Sequence, residues 1–301
     1  MASSRDVEFK TYDGIKLRGT LFPAGENTPC IIMNSGASVL FLSINFLPDF
    51  AVRFQAAGIT ALIYDNRCLG DSEGSPRDEV DPLLQTRDYF DAFCYATTLP
   101  EVDANKIVYW GSSMSGGTAL VAAALNKNIA AVVVQVPFIS GEWISQRSDS
   151  PPDALFQERA SAISSGAPSK IPSFPESLEH IKTRTSKAVI QDPAAVTLTD
   201  EITRRGQNWG KWATVQSLLN CSMFEPLAYV HRIAPTPLLM VVAEKDVTTP
   251  SHLQLEAFNR AREPKKLQLF KGQNHFSMYY GQDFEMNVAS QIAFLKETLK
   301  I

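Results

Sequence analysis

The sequence is poor in the residues that build disulfides and metal sites. It contains four cysteines among 301 residues. They lie far apart, and no two have the spacing of a zinc, haem or redox motif. Reduced thiols in a cytosolic protein are the simplest explanation. The four are Cys30, Cys68, Cys94 and Cys221. This pattern gives no reason to expect a bound metal.

Long apolar runs and a strong excess of one charge are also missing. No apolar run approaches the roughly 18 residues of a membrane-spanning helix. The first residues contain no apolar stretch of the kind found in secretion signals. A net charge of −4 gives no electrostatic reason to expect nucleic acid or an anionic membrane as a partner. The cytoplasm is therefore the expected location.

Short apolar runs alternate with segments of helical periodicity along most of the chain. Strands are predicted at residues 7–10, 15–22, 29–33, 59–64, 107–110, 130–136, 238–242 and 266–270. Helices are predicted at 46–57, 81–97, 114–125, 251–262 and 284–299. This alternation indicates a mostly parallel central sheet with helices on both faces. The first two strands meet at Asp13-Gly14, which indicates an antiparallel hairpin at one edge.

The segment from 137 to 232 interrupts the alternation. It has no convincing buried strand, its helices look short, and it is rich in proline and serine. About a hundred residues are too many for a passive loop, and three tryptophans argue against a disordered linker. We therefore expect residues 137–232 to form a helical cap. The cap would lie over the carboxyl edge of a sheet built from residues 1–136 and 233–301, where open α/β sheets place their sites.

The break between Trp110 and Met114 carries the most specific motif. An apolar strand run ends at Trp110, and an alanine-rich helical pattern begins at Met114. A serine in such a sharp turn stands exposed, as in a nucleophile elbow. Small residues two positions before and after fit both Ser113 and Ser115. The end of the apolar run favours Ser113, with Ser115 in place of the usual last glycine. The alternative is an ordinary Gly/Ser-rich turn without chemistry.

A serine nucleophile needs a base and a group that orients the base. In an elbow-type enzyme these follow later strands in the order serine, acid, histidine. Among the four histidines, only His275 directly follows a predicted strand downstream of the elbow. Asp246 follows the preceding strand, and we prefer it to Glu244 because its shorter side chain holds an imidazole with less freedom. We expect Asp246 to fix the tautomer of His275, which takes the proton from Ser113.

An acyl-transfer site must also stabilise an oxyanion with backbone N–H groups. We expect one from Met114, just after the nucleophile, and one from Ala37, with Ser38 as the next choice. Aromatic side chains are candidates for the lining of the substrate pocket, although packing within the cap explains them equally well. The candidates are Phe138, Trp143, Trp209 and Trp212, together with Ser38.

Several motifs taken together resemble one family. They are Tyr64–Gly74, Leu99–Asp103, Trp110–Gly117, Pro137–Gly141, Pro237–Ala243 and Lys271–Phe276. The set is similar to α/β-hydrolases and most similar to the fungal polyketide transferase and thiohydrolase family, from about residue 5 to 300. The sequence departs from the family at Met114, where tyrosine is common, and at Ser35-Gly36, where His-Gly is common. In the first of these motifs, we expect Arg67 to pair with Asp65 or Asp71 rather than bind substrate.

The resemblance implies an α/β-hydrolase fold with a helical cap inserted before the last two strands. It implies a serine hydrolase or acyltransferase of secondary metabolism that needs no metal and no cofactor. Such an enzyme forms an acyl-enzyme from a polyketide thioester or ester and passes the chain to water or an alcohol. The implied partners are that small molecule and a polyketide synthase carrier domain; a homodimer is left open.

Two alternatives remain open. The same three residues could serve a small-molecule esterase, or a hydrolase of lactones or carbon–carbon bonds. From a different class, the protein could bind a ligand or assist a cyclisation without forming an acyl-enzyme.

Overall fold

An eight-stranded sheet forms the centre of the molecule. The structure is a computed structural model that describes residues 4–34, 46–147, 152–207 and 210–301. Its strands in chain order are β1 (Arg5–Lys10), β2 (Lys16–Phe22), β3 (Thr28–Asn34), β4 (Thr60–Tyr64), β5 (Val102–Ser112), β6 (Ala131–Gln135), β7 (Lys170–Pro172), β8 (Trp212–Thr214), β9 (Leu238–Ala243) and β10 (Lys265–Phe270).

The strand order in the large sheet is β1-β2-β4-β3-β5-β6-β9-β10. β1 pairs antiparallel with β2, and β2 pairs antiparallel with β4. From β4 to β10 every pair is parallel. The predicted sheet, mostly parallel with an antiparallel hairpin at one edge, is confirmed. β6 and β9 are buried along their whole length, which explains why both are apolar except for Gln135 at the end of β6.

Helices cover both faces of this sheet. They are α1 (Leu47–Ala56), α2 (Pro82–Ala96), α3 (Met114–Leu125), α4 (Gly141–Arg147), α5 (Pro152–Ser165), α6 (Leu178–Lys182), α7 (Ala194–Arg204), α8 (Gln216–Ser222), α9 (Ser251–Arg260) and α10 (Gly281–Leu299). Side chains of β5 alternate between two buried clusters. Trp110 packs in the cluster of α1 and α10, whereas Tyr109 packs in that of α2, α3 and α9.

The inserted segment, residues 137–232, lies between β6 and β9 in the chain. It contains α4 to α8 and a separate antiparallel pair, β7 with β8. The sequence showed no strand here because three residues are too few to establish a period of two. Helix α7 packs into the cluster shared by α1 and α10, with Leu198 and Ile202 fully buried. The inserted segment and the sheet therefore share apolar packing.

Arg67 does not pair with Asp65 or Asp71, so that prediction is wrong. Its guanidinium binds Asp88 on α2 at 2.5 Å and Asp13 in the hairpin turn at 2.7 Å. The Asp65 carboxylate instead accepts the N–H of Asp71 and holds its own loop. Burial raises the pKa of Asp88 to about 6 despite its hydrogen bonds with Arg67. The more exposed Asp13 has its pKa lowered to about 2 by its hydrogen bond with Arg67.

Candidate active site

The turn between β5 and α3 has the geometry of a nucleophile elbow. Ser113, its only residue outside both elements, has φ 57° and ψ −124°. A positive φ is uncommon for a residue with a side chain and marks strain. A Cβ on Gly111 would lie 2.1 Å from the carbonyl oxygen of Ser115. Only glycine allows strand and helix to approach this closely.

The two candidate serines have different surroundings. The Ser115 hydroxyl donates to the carbonyl of Asn34 at 2.6 Å and accepts the N–H of Ser112 at 3.1 Å. It therefore joins the strand ends beneath the turn. The Ser113 hydroxyl lies 3.1 Å from His275 Nε2. The geometry thus favours the Ser113 frame of the motif.

His275 and Asp246 come from the loops that follow β10 and β9. His275 begins a short 3-10 helix, His275–Tyr279, whose start is capped by the Asn274 side chain. His275 Nδ1 lies 2.8 Å from Asp246 Oδ2, and both side chains are fully buried. A carboxylate can only accept a hydrogen bond, so Nδ1 carries the proton and Nε2 faces Ser113 as an acceptor. The structure therefore brings the three predicted side chains into one hydrogen-bonded row.

The Asp246 carboxylate is held by donors on both oxygens. Oδ1 accepts the N–H groups of Thr248 and Thr249, each at 2.9 Å. Oδ2 accepts from Gln254 on α9 at 2.9 Å as well as facing His275. These bonds satisfy a buried charge that would otherwise be costly. Glu244, the rejected acid, is exposed and accepts the N–H of Gly272, so it ties the two loops together.

Known proteins match this chain over most of its length. A family model described as serine aminopeptidase, S33, matches residues 42–279. The chain belongs to this α/β-hydrolase family. A polyketide transferase, grgF of a Penicillium species, is 34% identical to this hydrolase over 291 residues, covering 97% of this chain and 95% of the relative. A thiohydrolase of Eupenicillium brefeldianum is 32% identical, covering 98% and 95%.

A solved structure supports the same assignment. The crystal structure of the α/β-hydrolase GrgF from Penicillium sp. sh18 matches with a TM-score of 0.84 at 32% identity, covering 99% of this chain and all of that one. The resemblance to the polyketide transferase and thiohydrolase family and the α/β-hydrolase fold are confirmed. A cap formed by residues 137–232 stays a prediction.

Thr249 is a residue of the site that sequence reasoning missed. Its hydroxyl lies 3.1 Å from His275 Nδ1 and 2.9 Å from both Asp246 Oδ2 and the carbonyl of Val136. Val136 follows β6 with φ 40°, which is strained for a β-branched residue. The Val136 carbonyl and the Asp246 carboxylate are thus both acceptors within reach of the Thr249 hydroxyl, beside the imidazole of His275. The only sequence signal was the Thr248-Thr249 pair directly after the acid.

Of the residues expected to donate an N–H group to the oxyanion, only Met114 belongs to the part of the chain that the structure describes. Met114 is the first residue of α3, where helix N–H groups have no partner within the helix. Its side chain packs with Val80, Phe138 and Phe224 in an apolar cluster beside the elbow. Ala37 and Ser38 lie outside the described residues. The two donors therefore remain predictions.

The aromatic pocket candidates lie in different places. Phe138 is 4% exposed and stacks on Phe224, with ring centroids 6.3 Å apart. Trp143 lines a narrow crevice together with Phe138 and Thr249. Trp212 is 48% exposed on the small sheet, where it pairs with Pro172. Trp209 lies outside the described residues. Their contact with a substrate stays a prediction.

Within the described ranges, no group of three or more His, Cys, Asp or Glu side chains could hold a metal ion. Nor does any helix there combine the length and apolar character needed to cross a membrane. The four cysteines are free thiols. Burial raises the pKa of the Cys30 and Cys221 thiols to about 12, which makes them poor nucleophiles.

Proposed function

We propose that this α/β-hydrolase acts on a polyketide thioester or ester through an acyl-enzyme on Ser113. The row of hydrogen bonds from Ser113 through His275 to Asp246 carries the proposal. A serine hydroxyl reacts at neutral pH only when a base is in place to take its proton. In this site the base, its orienting acid and the strained turn of the nucleophile all meet.

The proposed reaction has two halves. Ser113 Oγ attacks the carbonyl carbon while its proton passes to His275 Nε2, and the carbonyl oxygen becomes an oxyanion beside the Met114 N–H. The oxyanion then re-forms the carbonyl, the bond to sulfur or oxygen breaks, and the leaving group takes the proton from His275. Water or an alcohol next gives its proton to His275 and attacks the acyl-enzyme. The bond between the acyl carbon and Ser113 Oγ then breaks, and His275 returns the proton to Ser113. Asp246 stabilises the imidazolium formed in each half.

The substrate class rests on the relatives and on the apolar cluster beside the elbow. The relatives are named polyketide transferase and thiohydrolase. Beside the elbow, Val80, Phe138 and Phe224 pack with Met114 in a buried apolar cluster. A site bordered by apolar side chains suits an acyl chain better than a charged substrate. A polyketide synthase carrier domain is the proposed donor of that chain.

We also propose that the inserted segment caps the site. Asp192, two residues before α7, accepts a hydrogen bond from the Thr248 hydroxyl at 2.7 Å, in the loop that carries Asp246. Phe174 packs edge-on against Phe276, the neighbour of His275. Covering a site in this way keeps water from the acyl-enzyme and favours transfer to an alcohol.

Turnover of a panel of acyl thioesters, with and without added alcohols, tests the proposal. Product masses distinguish hydrolysis from transfer. We expect Ser113→Ala to lose about 10³-fold or more of the wild-type rate. Ser115→Ala is the matched control, because it removes a buried hydroxyl two residues away that does not face His275. Equal turnover by Ser113→Ala and wild type would overturn the proposal that Ser113 forms an acyl-enzyme.

A further inference from the structure

A row of fully buried polar side chains lies behind the nucleophile turn and plays no part in the proton transfers proposed above. Each is at most 1% exposed, so none can exchange its partner for water. In hydrogen-bond order they are Trp110, Gln291, Asn287, Gln135, Ser112 and Tyr279. We call this set the buried amide row.

The direction of the row is set at its Trp110 end. An indole N–H can only donate, and Trp110 donates to Gln291 Oε1 at 2.7 Å. The Gln291 amide nitrogen therefore faces Gln135 Oε1 at 3.0 Å. Gln135 in turn donates from Nε2 to the Ser112 hydroxyl at 3.0 Å. One donor thus fixes the orientation of each amide that follows.

The buried amide row connects the turn that carries Ser113 to the 3-10 helix that begins at His275, and it does so at two points. The Tyr279 hydroxyl, in the last residue of the 3-10 helix that His275 begins, lies 2.5 Å from the hydroxyl of Ser112. Burial raises the pKa of the Tyr279 phenol, so it stays protonated. Ser112 directly precedes Ser113. The first link therefore runs between the immediate neighbour of the nucleophile and the helix that holds the imidazole.

The second link passes through Asn287 on α10. Its Nδ2 donates to Gln135 Oε1 at 2.8 Å and to the carbonyl of Met278, in the same 3-10 helix, at 3.2 Å. The backbone carbonyl of Gln135 accepts the N–H of Ser113 at 3.1 Å. Two paths, joined to each other by the bond from Gln135 to Ser112, therefore set the position of the base relative to the nucleophile.

We propose that Tyr279 and Asn287 are positioning residues that hold His275 Nε2 at reacting distance from Ser113 Oγ. Neither makes a hydrogen bond to the reacting atoms. The inference rests on the proposed function, because position matters only if His275 takes the proton from Ser113. Loss of either link removes a hydrogen bond that ties the 3-10 helix to the nucleophile turn, so the helix, and His275 with it, shifts relative to Ser113. A displacement of about 1 Å at such a site can lower the rate about 100-fold.

Tyr279→Phe tests the inference with a fluorophosphonate probe, which needs no knowledge of the substrate. Labelling is measured against probe concentration, and thermal unfolding is measured alongside. We expect the limiting rate to fall about 10- to 100-fold, with an unchanged half-saturating concentration. The matched control is Tyr109→Phe. Tyr109 is also buried and makes two hydrogen bonds, to Tyr89 and Asn126. It lies on the face of β5 opposite to Trp110 and the buried amide row.

The control separates positioning from stability. Tyr109→Phe should unfold at a lower temperature and still be labelled at the wild-type limiting rate. Tyr279→Phe labelled as fast as wild type, or Tyr109→Phe slowed equally, would overturn the inference while leaving the proposed function intact. Absence of labelling in folded wild-type protein would overturn the proposed function, and the inference with it.

A variant at Ser112 covers the case in which Tyr279→Phe fails to fold. Ser112→Ala removes the same link from its other end, and we expect a similar fall in the limiting rate. If the link acts as one unit, the variant with both changes is labelled no more slowly than Ser112→Ala alone. Wild-type labelling by Ser112→Ala, or a further fall of equal size in the double variant, would contradict the proposal.

Discussion

At the scale of single residues, the site depends on a close contact between backbones. Ser113 can take its strained conformation only because the chain at Gly111 passes directly against Ser115. In the sequence, the need for this close contact is visible as the small residues Gly111 and Ser115 on either side of Ser113. The sequence could not show which of the two serines faces His275, except through the point where the apolar run ends.

Gly111→Ala should therefore damage the site through its backbone. The added methyl group would lie 2.1 Å from the carbonyl oxygen of Ser115, so strand and helix must separate. We expect a loss of about 1–3 kcal/mol in the free energy of unfolding, measured by urea denaturation, and slower acyl transfer. Gly25→Ala, where the nearest atom is a flexible methyl group of Thr28 at 3.3 Å, should be close to wild type. Equal stability of the two variants would contradict this account.

Sequence reasoning at this scale predicted Ser113, Asp246 and His275, which the structure brings within hydrogen-bond distance of one another, but it missed the residues that hold them. Elbow spacing and chain order are local signals, so they can be found without a structure. Thr249, Tyr279 and Asn287 act through contacts with distant elements. No local pattern marks them, because their partners are set only when the sheet and α10 pack together.

At the scale of elements, the hairpin turn is tied to α2 through Arg67. Arg67 binds both Asp88 and Asp13. The side chains of Arg67 and Asp88 are buried, whereas that of Asp13 is 48% exposed. The wrong prediction arose because near neighbours in sequence were preferred as partners. The arginine instead reaches Asp88, 21 residues further along the chain, because a buried carboxylate needs a counter-charge more than an exposed one does.

Arg67→Met should leave Asp88 buried without its cation. We expect a loss of about 3–5 kcal/mol in the free energy of unfolding at pH 8. Burial already raises the folded-state pKa of Asp88 to about 6, above its ordinary value. A raised pKa stabilises the fold at low pH, and that stability is lost as pH rises through the folded value. The deficit of the variant should therefore be smaller at pH 5 than at pH 8.

Urea denaturation at the two pH values measures this difference. The double variant Arg67→Met with Asp88→Leu is the control, because it removes both charges. It should recover most of the lost stability at pH 8. A deficit that is independent of pH, or one that the double change does not reduce, would show that Asp88 is not the group responsible.

At the scale of the whole molecule, the inserted segment and the sheet share one apolar cluster. Leu198 and Ile202 of α7 pack into the same cluster as Phe276, beside His275. The sequence predicted the position and helical character of this segment but not β7 and β8. It also could not show the packing of α7, since amphipathic spacing tells which face is buried and not what covers it.

Leu198→Ala should therefore destabilise the molecule as a whole. We expect a loss of about 2–5 kcal/mol in the free energy of unfolding, in a single transition, because the cavity lies in a shared core. The exposed neighbour Thr197→Ala should stay within about 0.5 kcal/mol of wild type. Urea denaturation followed by fluorescence and circular dichroism measures both. Two separate transitions, with only one moved by Leu198→Ala, would contradict shared packing.

The most direct test of the central claim is to locate the serine that reacts. Folded protein is incubated with a fluorophosphonate, and the modified peptide is identified by mass spectrometry. The account predicts a single adduct on Ser113, formed far more slowly in His275→Ala, because the base 3.1 Å from its hydroxyl is then missing. An adduct on Ser115, or none on folded wild-type protein, would contradict it.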